Sequence, residues 1–202
     1  MPSDLKSKVA REAASLLYFE VEKEYKQAKI RAAQALATHF LPSNLEVAVE
    51  LDKIAEENEG ENRKVRLTQM RNEALQVMKH LDAYCPLLIG SVWRGTIRRG
   101  SDIDIAVYAD DPLEIINILK THGIEVLKTT WTTVNKHGRT MSSLHIDTET
   151  SMKNGLEIVI RSPEEQGEKR KCEIFGDEIK GLKTKELGRL LRENPTRKFI
   201  PA

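Results

Sequence analysis

Apolar and small residues recur at steps of three and four through the first part of the chain. This spacing places them on one face of an α-helix. It predicts one long amphipathic helix that ends at Leu41-Pro42, where proline prevents continuation. The positions on this face are Val9, Ala13, Leu17, Val21, Tyr25, Ala28, Ala32, Leu36 and Phe40. Two further helices are predicted over residues 43–60 and 61–83, and the short links favour antiparallel packing.

After residue 83 the pattern changes to short runs that suit β-strands. Leu87-Leu88-Ile89 is a continuous apolar run, which is typical of a buried strand. Residues 102–107 alternate acidic or small side chains with Ile and Val, the period of a half-buried strand. Two runs rich in β-branched residues, 124–134 and 140–148, predict two more strands joined by a turn at residues 136–139.

Three further signals complete the predicted elements. Helices are predicted over residues 112–121 and near residues 184–192, the second of them stopping before Pro195. Asn154-Gly155 is the strongest short hairpin signal in the chain, and it leads into a strand at residues 156–160.

These elements predict an α+β fold in three parts. The first part is an N-terminal antiparallel helical bundle at residues 1–83. The second part is a domain at residues 84–168, with a mixed β-sheet flanked by helices. The third part is a charged tail with one helix at residues 169–202.

The charge balance argues against a general nucleic-acid binder. The 32 Lys and Arg residues and 31 Asp and Glu residues leave a formal net charge of +1. Such binders usually carry a strongly basic balance. Net charge does not report distribution, however, so a local basic patch is still compatible with this composition.

The cysteines and the start of the chain indicate an ordinary soluble protein. Cys85 and Cys172 are far apart and neither belongs to a CxxC pair, so reduced thiols are expected rather than a disulfide framework or a zinc site. The start lacks the apolar core of a signal peptide, and no apolar run approaches the roughly 20 residues that span a bilayer. A cytoplasmic location is therefore expected.

One constellation carries chemistry: Gly90-Ser91, a spacer of nine residues, and then Ser101-Asp102-x-Asp104. Asp102 and Asp104 alternate along one strand, so both carboxylates point to the same face. Hard oxygen ligands of this kind favour Mg²⁺. Gly90 ends the preceding strand, where the backbone must turn sharply beside a ligand. Ser91 begins the next helix, whose unpaired N–H groups can hold phosphate oxygens.

A third carboxylate would complete a two-metal site. Glu157 is favoured because it is a lone acid in an apolar strand, where a carboxylate is costly without a partner. Asp147 is the weaker alternative. His145 is expected to be a structural or strand-surface residue, and Trp93 is expected to pack a helix onto the sheet rather than to stack on a base.

The segment LIGSVWRGTIRRGSDIDIAVY resembles the signature of the DNA polymerase beta-like nucleotidyltransferase superfamily. In style it is closest to the minimal nucleotidyltransferases and the catalytic head of archaeal CCA-adding enzymes. The resemblance covers residues 87–162 and identifies residues 84–168 as a nucleotidyltransferase catalytic domain. It implies that Asp102, Asp104 and a third acid, carried to Glu157, are the catalytic metal ligands, although that acid is more often aspartate. The nucleotide-binding residues it implies are Gly90, Ser91, Arg94, Arg98 and Ser101.

The resemblance implies transfer of a nucleoside monophosphate from a nucleoside triphosphate, with ATP as the expected donor, to an acceptor hydroxyl. Two Mg²⁺ ions are the expected cofactors. The neutral charge and short length favour a protein or small molecule as acceptor. Two alternatives stay open: a transferase that modifies nucleic-acid ends, and a non-catalytic nucleotide-binding scaffold. The N-terminal helices are a candidate surface for homo-oligomer formation, and no membrane partner is expected.

Overall fold

The computed structural model describes residues 2–136 and 139–201. The centre of the turn predicted at residues 136–139 therefore lies outside the described residues. The elements are α1 (Pro2–Tyr18), α2 (Tyr25–Ala35), α3 (Asn44–His80), β1 (Leu87–Ile89), α4 (Gly90–Arg94), β2 (Ile103–Tyr108), α5 (Pro112–Thr121), β3 (Val126–Lys136), β4 (Arg139–Glu149), β5 (Gly155–Arg161), β6 (Leu182–Lys183) and α6 (Thr184–Glu193). The α+β class predicted from the sequence is confirmed, with helices at the N-terminus and a mixed six-stranded sheet.

The single helix predicted up to Leu41-Pro42 is wrong, because the chain breaks between α1 and α2. Glu20 adopts a left-handed conformation with φ 58°. The N–H groups of the next two residues then donate to the carbonyl of Leu16, which closes the end of α1. The break lets α2 fold back, so that small residues of both helices, such as Ala13 and Ala32, share one core cluster.

Helix α3 joins the second and third predicted helices into one long element. Its start is capped as expected, since Ser43 accepts from the N–H of Glu46 and the Glu46 carboxylate accepts from the N–H of Ser43. Gly60, with φ 52° and ψ −134°, kinks the helix instead of ending it. The first half of α3 packs with α1 and α2, and the second half packs under the sheet, so α3 connects the two core clusters.

The strands are ordered β3-β4-β5-β2-β1-β6, and β2 and β5 are the parallel pair among the described strands. The other pairs are antiparallel, which makes the sheet mixed. The turn predicted at Asn154-Gly155 is wrong in detail, because residues 150–154 form the loop and Gly155 already pairs with Glu149. The two-residue strand β6 was not predicted, since its pattern is too short to be recognised.

One face of the sheet forms the main core. Ile103, Ile105 and Val107 of β2 are fully buried there, together with apolar residues of α3, α4, α5 and α6. The alternate residues of β2, including Asp104, point to the opposite face. Within the described residues, no helix combines the length and apolar character that crossing a bilayer requires. The domain boundaries at residues 83 and 168 stay predictions.

A buried arginine ties α3 to the rest of the fold. Arg71 is fully buried, and burial lowers its pKa to about 10. Its guanidinium donates to the carbonyls of Val92 and Trp93 in α4, at 3.0 and 2.8 Å, and to those of Pro195 and Arg197 near the C-terminus, at 2.6 and 3.0 Å. Because every partner is a backbone carbonyl, these bonds fix the path of the chain rather than a side chain.

We expect Arg71→Met to lower the free energy of unfolding by about 3 kcal/mol, because buried carbonyls would lose their donor. Urea unfolding measures the change. Arg189→Met is the matched control, since Arg189 is exposed on α6. Equal stability of the two variants would contradict the structural role of Arg71.

Candidate active site

Parallel pairing of β2 with β5 brings the predicted acids together. Asp104 lies directly opposite Glu157, and Glu157 lies directly opposite Asp147 of β4. Directly opposite residues share a face of a sheet, so the three acids form a row across three strands. Asp102 immediately precedes β2, at the end of the strand where this row lies. Glu157, rather than Asp147, is the direct neighbour of Asp104, which is the position expected of a third ligand.

Two glycines make room for the carboxylates. Gly90 has φ 68°, and a Cβ atom there would lie 1.8 Å from Oδ2 of Asp104. A Cβ atom at Gly155 would lie 2.1 Å from Oδ1 of Asp102. Any side chain at either position would therefore push a carboxylate away. The sequence predicts a turn at Gly155 and does not predict this contact, although a glycine at the start of the strand that carries Glu157 was the available signal.

The surroundings of Asp102 and Asp104 raise the pKa of both carboxyl groups. Burial raises the pKa of Asp104 to about 8, and the charges of Glu157 and Asp102 add to the effect. The pKa of Asp102 is also raised, first by burial and then by Glu157 and Asp147, while Arg98 opposes the rise. Side-by-side carboxylates are charged together only when a proton or cation compensates them.

By donor chemistry this cluster fits a divalent cation. Carboxylates of Asp102, Asp104 and Glu157 are the hard oxygen ligands that Mg²⁺ prefers. Across residues 2–136 and 139–201, however, no three His, Cys, Asp or Glu side chains already stand in an arrangement that would hold a metal ion. A bound ion would thus require these side chains to change their orientation.

His145 takes part in the cluster, which the sequence did not predict. Its Nδ1 donates to Oε1 of Glu157 at 2.7 Å, and its Nε2 lies 3.1 Å from the hydroxyl of Ser143. His145 is two residues before Asp147 on β4, so it lies on the same face. The imidazole is thereby held between Glu157 and Ser143, and it fixes the orientation of the Glu157 carboxylate.

The residues predicted to bind nucleotide line a pocket beside the acids. This pocket has a volume of about 300 Å³ and includes Gly90, Ser91, Arg98 and Ser101. The hydroxyl of Ser101 accepts from the N–H of Arg98 at 2.9 Å, so Ser101 shapes the turn before β2. Helices α1 to α3 and the segment 172–175 close the other side.

Arg94, also predicted to bind phosphate, lines this pocket as well, and other groups of the protein hold its guanidinium. Its guanidinium is buried and donates to both carboxylate oxygens of Asp177, at 2.6 and 3.2 Å, and to the carbonyl of Phe199 at 2.9 Å. It also lies over the rings of Trp93 and Phe175. A phosphate contact would require the Asp177 pair to open. Trp93 is buried and packs as expected.

Comparison with known proteins bears on this site. The model of the nucleotidyltransferase domain family matches residues 87–186. A cytoplasmic RNA terminal U-transferase has 16% identity and a TM-score of 0.31, over 58% of this chain and 34% of its own. Cid1, in complex with the UTP analogue UMPNPP, has 15% identity and a TM-score of 0.30, over 61% of this chain and 34% of its own. The chain thus spans about a third of either protein, and likeness this low identifies neither base nor acceptor. No curated protein matches the sequence.

We expect Gly155→Ala to weaken Mg²⁺ binding by more than about tenfold, because the new methyl group displaces the Asp102 carboxylate from the cluster. Titration calorimetry with Mg²⁺ measures the loss. Gly188→Ala is the control, since a Cβ atom there would meet no atom closer than 3.8 Å. Unchanged affinity in Gly155→Ala would show that Asp102 is not a metal ligand.

A second prediction concerns pH. The ordinary pKa of an aspartate carboxyl is 3.8, and the pKa of Asp104 in the folded protein is raised to about 8. Between these values the unfolded chain loses the proton that the folded protein keeps, so the stability of the metal-free protein falls as pH rises. Asp104→Asn removes this dependence. In chelator, we expect this variant to melt above the wild type at pH 8 and the difference to shrink in acid.

Thermal unfolding at several pH values, with excess chelator, makes this measurement. Asp110→Asn is the matched control, because Asp110 is exposed just after β2. A wild type as stable as Asp104→Asn at pH 8 would contradict the raised pKa.

Proposed function

We propose, on the premise that the chain is a nucleotidyltransferase with its family domain at residues 87–186, that it transfers a nucleoside monophosphate from a nucleoside triphosphate to an acceptor hydroxyl. One observation carries the proposal. Asp104 and Glu157 face each other on parallel strands, and the backbone of Gly90 passes directly beside Asp104. A cluster that binds cations therefore adjoins the pocket that would hold the phosphates.

The nucleotide would lie in the pocket of about 300 Å³. The backbone at Gly90 and the hydroxyl of Ser91 would contact the terminal phosphates, and Arg98 would add a positive charge at the edge of the same pocket. Arg98 is half-buried and opposes the pKa rise of Asp102, so its charge already acts on the cluster. ATP is the proposed donor, as the sequence predicts. Comparison of transfer from each of the common nucleoside triphosphates would identify the preferred base.

The acids would bring the metal to the α-phosphate. Asp102, Asp104 and Glu157 would hold two Mg²⁺ ions, the number that the sequence predicts. The ions would neutralise phosphate charge and lower the pKa of the acceptor hydroxyl. His145 would keep Glu157 turned toward its neighbours through the bond to Nδ1. Positioning and charge neutralisation would thus supply most of the rate enhancement.

The transfer is an in-line displacement. The acceptor oxygen forms a bond to the α-phosphorus, the bond to the bridging oxygen breaks, and pyrophosphate leaves toward Gly90 and Ser91. The acceptor must therefore approach from the opposite side, where Glu157 and β4 lie. Its proton would pass to a carboxylate of the cluster, and Glu157 is the one farthest from the nucleotide pocket along the row of strands.

The presence of all three acids, and of both glycines that admit them, supports catalysis over a non-catalytic scaffold. The acceptor class does not follow from these residues, because any hydroxyl held in line would serve. Association through the N-terminal helices and a cytoplasmic location stay predictions. Light scattering and fractionation test them.

We expect Asp102→Ala combined with Asp104→Ala to abolish transfer. Glu157→Gln should slow it by on the order of a hundredfold, and Asp147→Asn should slow it much less, since Asp147 is one strand farther from Asp104. Label transfer from each nucleoside triphosphate, with Mg²⁺, to RNA, protein and small-molecule acceptors measures these rates.

Triphosphate binding by the variants separates lost chemistry from lost substrate. Residual transfer in the double variant would refute the metal assignment. A larger loss in Asp147→Asn than in Glu157→Gln would move the third ligand to β4.

A further inference from the structure

A short hairpin near the C-terminus covers one side of the pocket proposed to hold the nucleotide. We call residues 170–179 the arm. Its two sides are joined by a bridge between Lys171 and Glu178, and the N–H of Cys172 donates to the carbonyl of Asp177 at 2.8 Å. The sequence predicts only a charged tail at these positions, with no part in the site. The arm therefore needs an explanation of its own.

The tip of the arm supplies an apolar part of the pocket wall. Cys172, Ile174 and Phe175 line the pocket of about 300 Å³ together with Gly90 and Ser91. All three arm residues are uncharged and half-buried. Aliphatic groups and ring faces are surfaces against which a planar ring packs well. This wall suits the nucleobase of a triphosphate, whereas the donors at Gly90 and Ser91 suit its phosphates.

One ion pair fixes the arm to helix α4. The guanidinium of Arg94 donates to both carboxylate oxygens of Asp177, at 2.6 and 3.2 Å. The same guanidinium lies over the ring of Trp93, at 4.5 Å from its centroid, and over the ring of Phe175, at 4.3 Å. A bidentate pair that also contacts aromatic rings has a defined geometry. Arg94 therefore holds the tip of the arm in one position.

Helix α4 connects this ion pair to the phosphate end of the pocket. Ser91 lies three residues before Arg94, which places both residues on the same face of the helix. About one turn of helix thus separates the proposed phosphate contact from the side chain that binds Asp177. The position of the arm tip is therefore set relative to the place where the phosphates would bind.

We infer that Asp177 is a positioning residue of the nucleotide site. Through Arg94 it holds the arm where the ring of Phe175 forms a wall for the nucleobase. This inference rests on the proposed function, because it takes the pocket to be the nucleotide site. Its energetic basis is preorganisation: an arm that is already in its binding position loses little conformational entropy when the triphosphate binds.

A direct contact between Arg94 and the phosphates makes the opposite prediction. In that case Asp177 competes with the phosphates for the guanidinium, so removal of its charge frees Arg94 and strengthens binding of the triphosphate. If Asp177 instead positions the arm, removal of its charge weakens binding. The sign of the change therefore distinguishes the two roles of Arg94.

The test compares Asp177→Asn with Glu178→Gln. Both variants remove one negative charge from the arm, but Glu178 is exposed and does not line the pocket. The probes are the four common nucleoside triphosphates and inorganic tripolyphosphate, each with Mg²⁺. Tripolyphosphate has the phosphates without a nucleoside. Titration calorimetry measures the affinities, and label transfer measures kcat and KM.

Asp177→Asn should bind the preferred triphosphate on the order of tenfold more weakly than wild type and Glu178→Gln. Its KM should rise by a similar factor, and its kcat should change much less. Tripolyphosphate should lose no affinity, because Gly90 and Ser91 are unchanged. Asp177→Glu keeps the charge and should restore part of the loss. Phe175→Ala leaves the ion pair in place and should give the same selective loss, should Asp177→Asn fail to fold.

The outcomes separate this inference from the proposed function. Tighter or unchanged binding of the triphosphate by Asp177→Asn overturns the positioning role and leaves nucleotidyl transfer in place. An equal loss for triphosphate and tripolyphosphate overturns it as well, since Asp177 would then support the whole pocket. A selective loss of triphosphate binding, in a protein that transfers from no triphosphate, supports the positioning role and refutes the proposed function. A wild type that binds neither probe refutes both.

Discussion

The site depends on two carboxylates, Asp104 and Glu157, which repel each other and which the fold holds close together. Parallel pairing of β2 with β5 sets Asp104 directly against Glu157, both half-buried. Burial raises the pKa of Asp104 to about 8, and the charge of Glu157 adds to the effect. Like charges this close favour a proton or a cation between them. Packing alone would not select this arrangement, because apolar residues in the same row would be more stable. This arrangement therefore supports the proposed cation site.

Helix α3 keeps both sides of this cluster in place. Arg71 binds the carbonyls of α4, the helix that begins at Gly90. Two residues later the buried Glu73 accepts from Nδ2 of Asn154, at 3.0 and 3.1 Å, just before Gly155. The two glycines that admit the carboxylates therefore adjoin segments anchored to one turn of one helix. A shift of α3 would move both together, which preserves the spacing of the acids.

The sequence predicted what is local and missed what depends on distant contacts. The Gly90-Ser91 turn, the alternation at Asp102 and Asp104 and the lone acid Glu157 are each visible within a few residues. The bond from His145 to Glu157 depends on strand register, which the sequence alone did not set. The ion pair of Arg94 with Asp177 joins residues 83 positions apart. The break after α1 was hidden because the apolar period continues through Val21, which is half exposed.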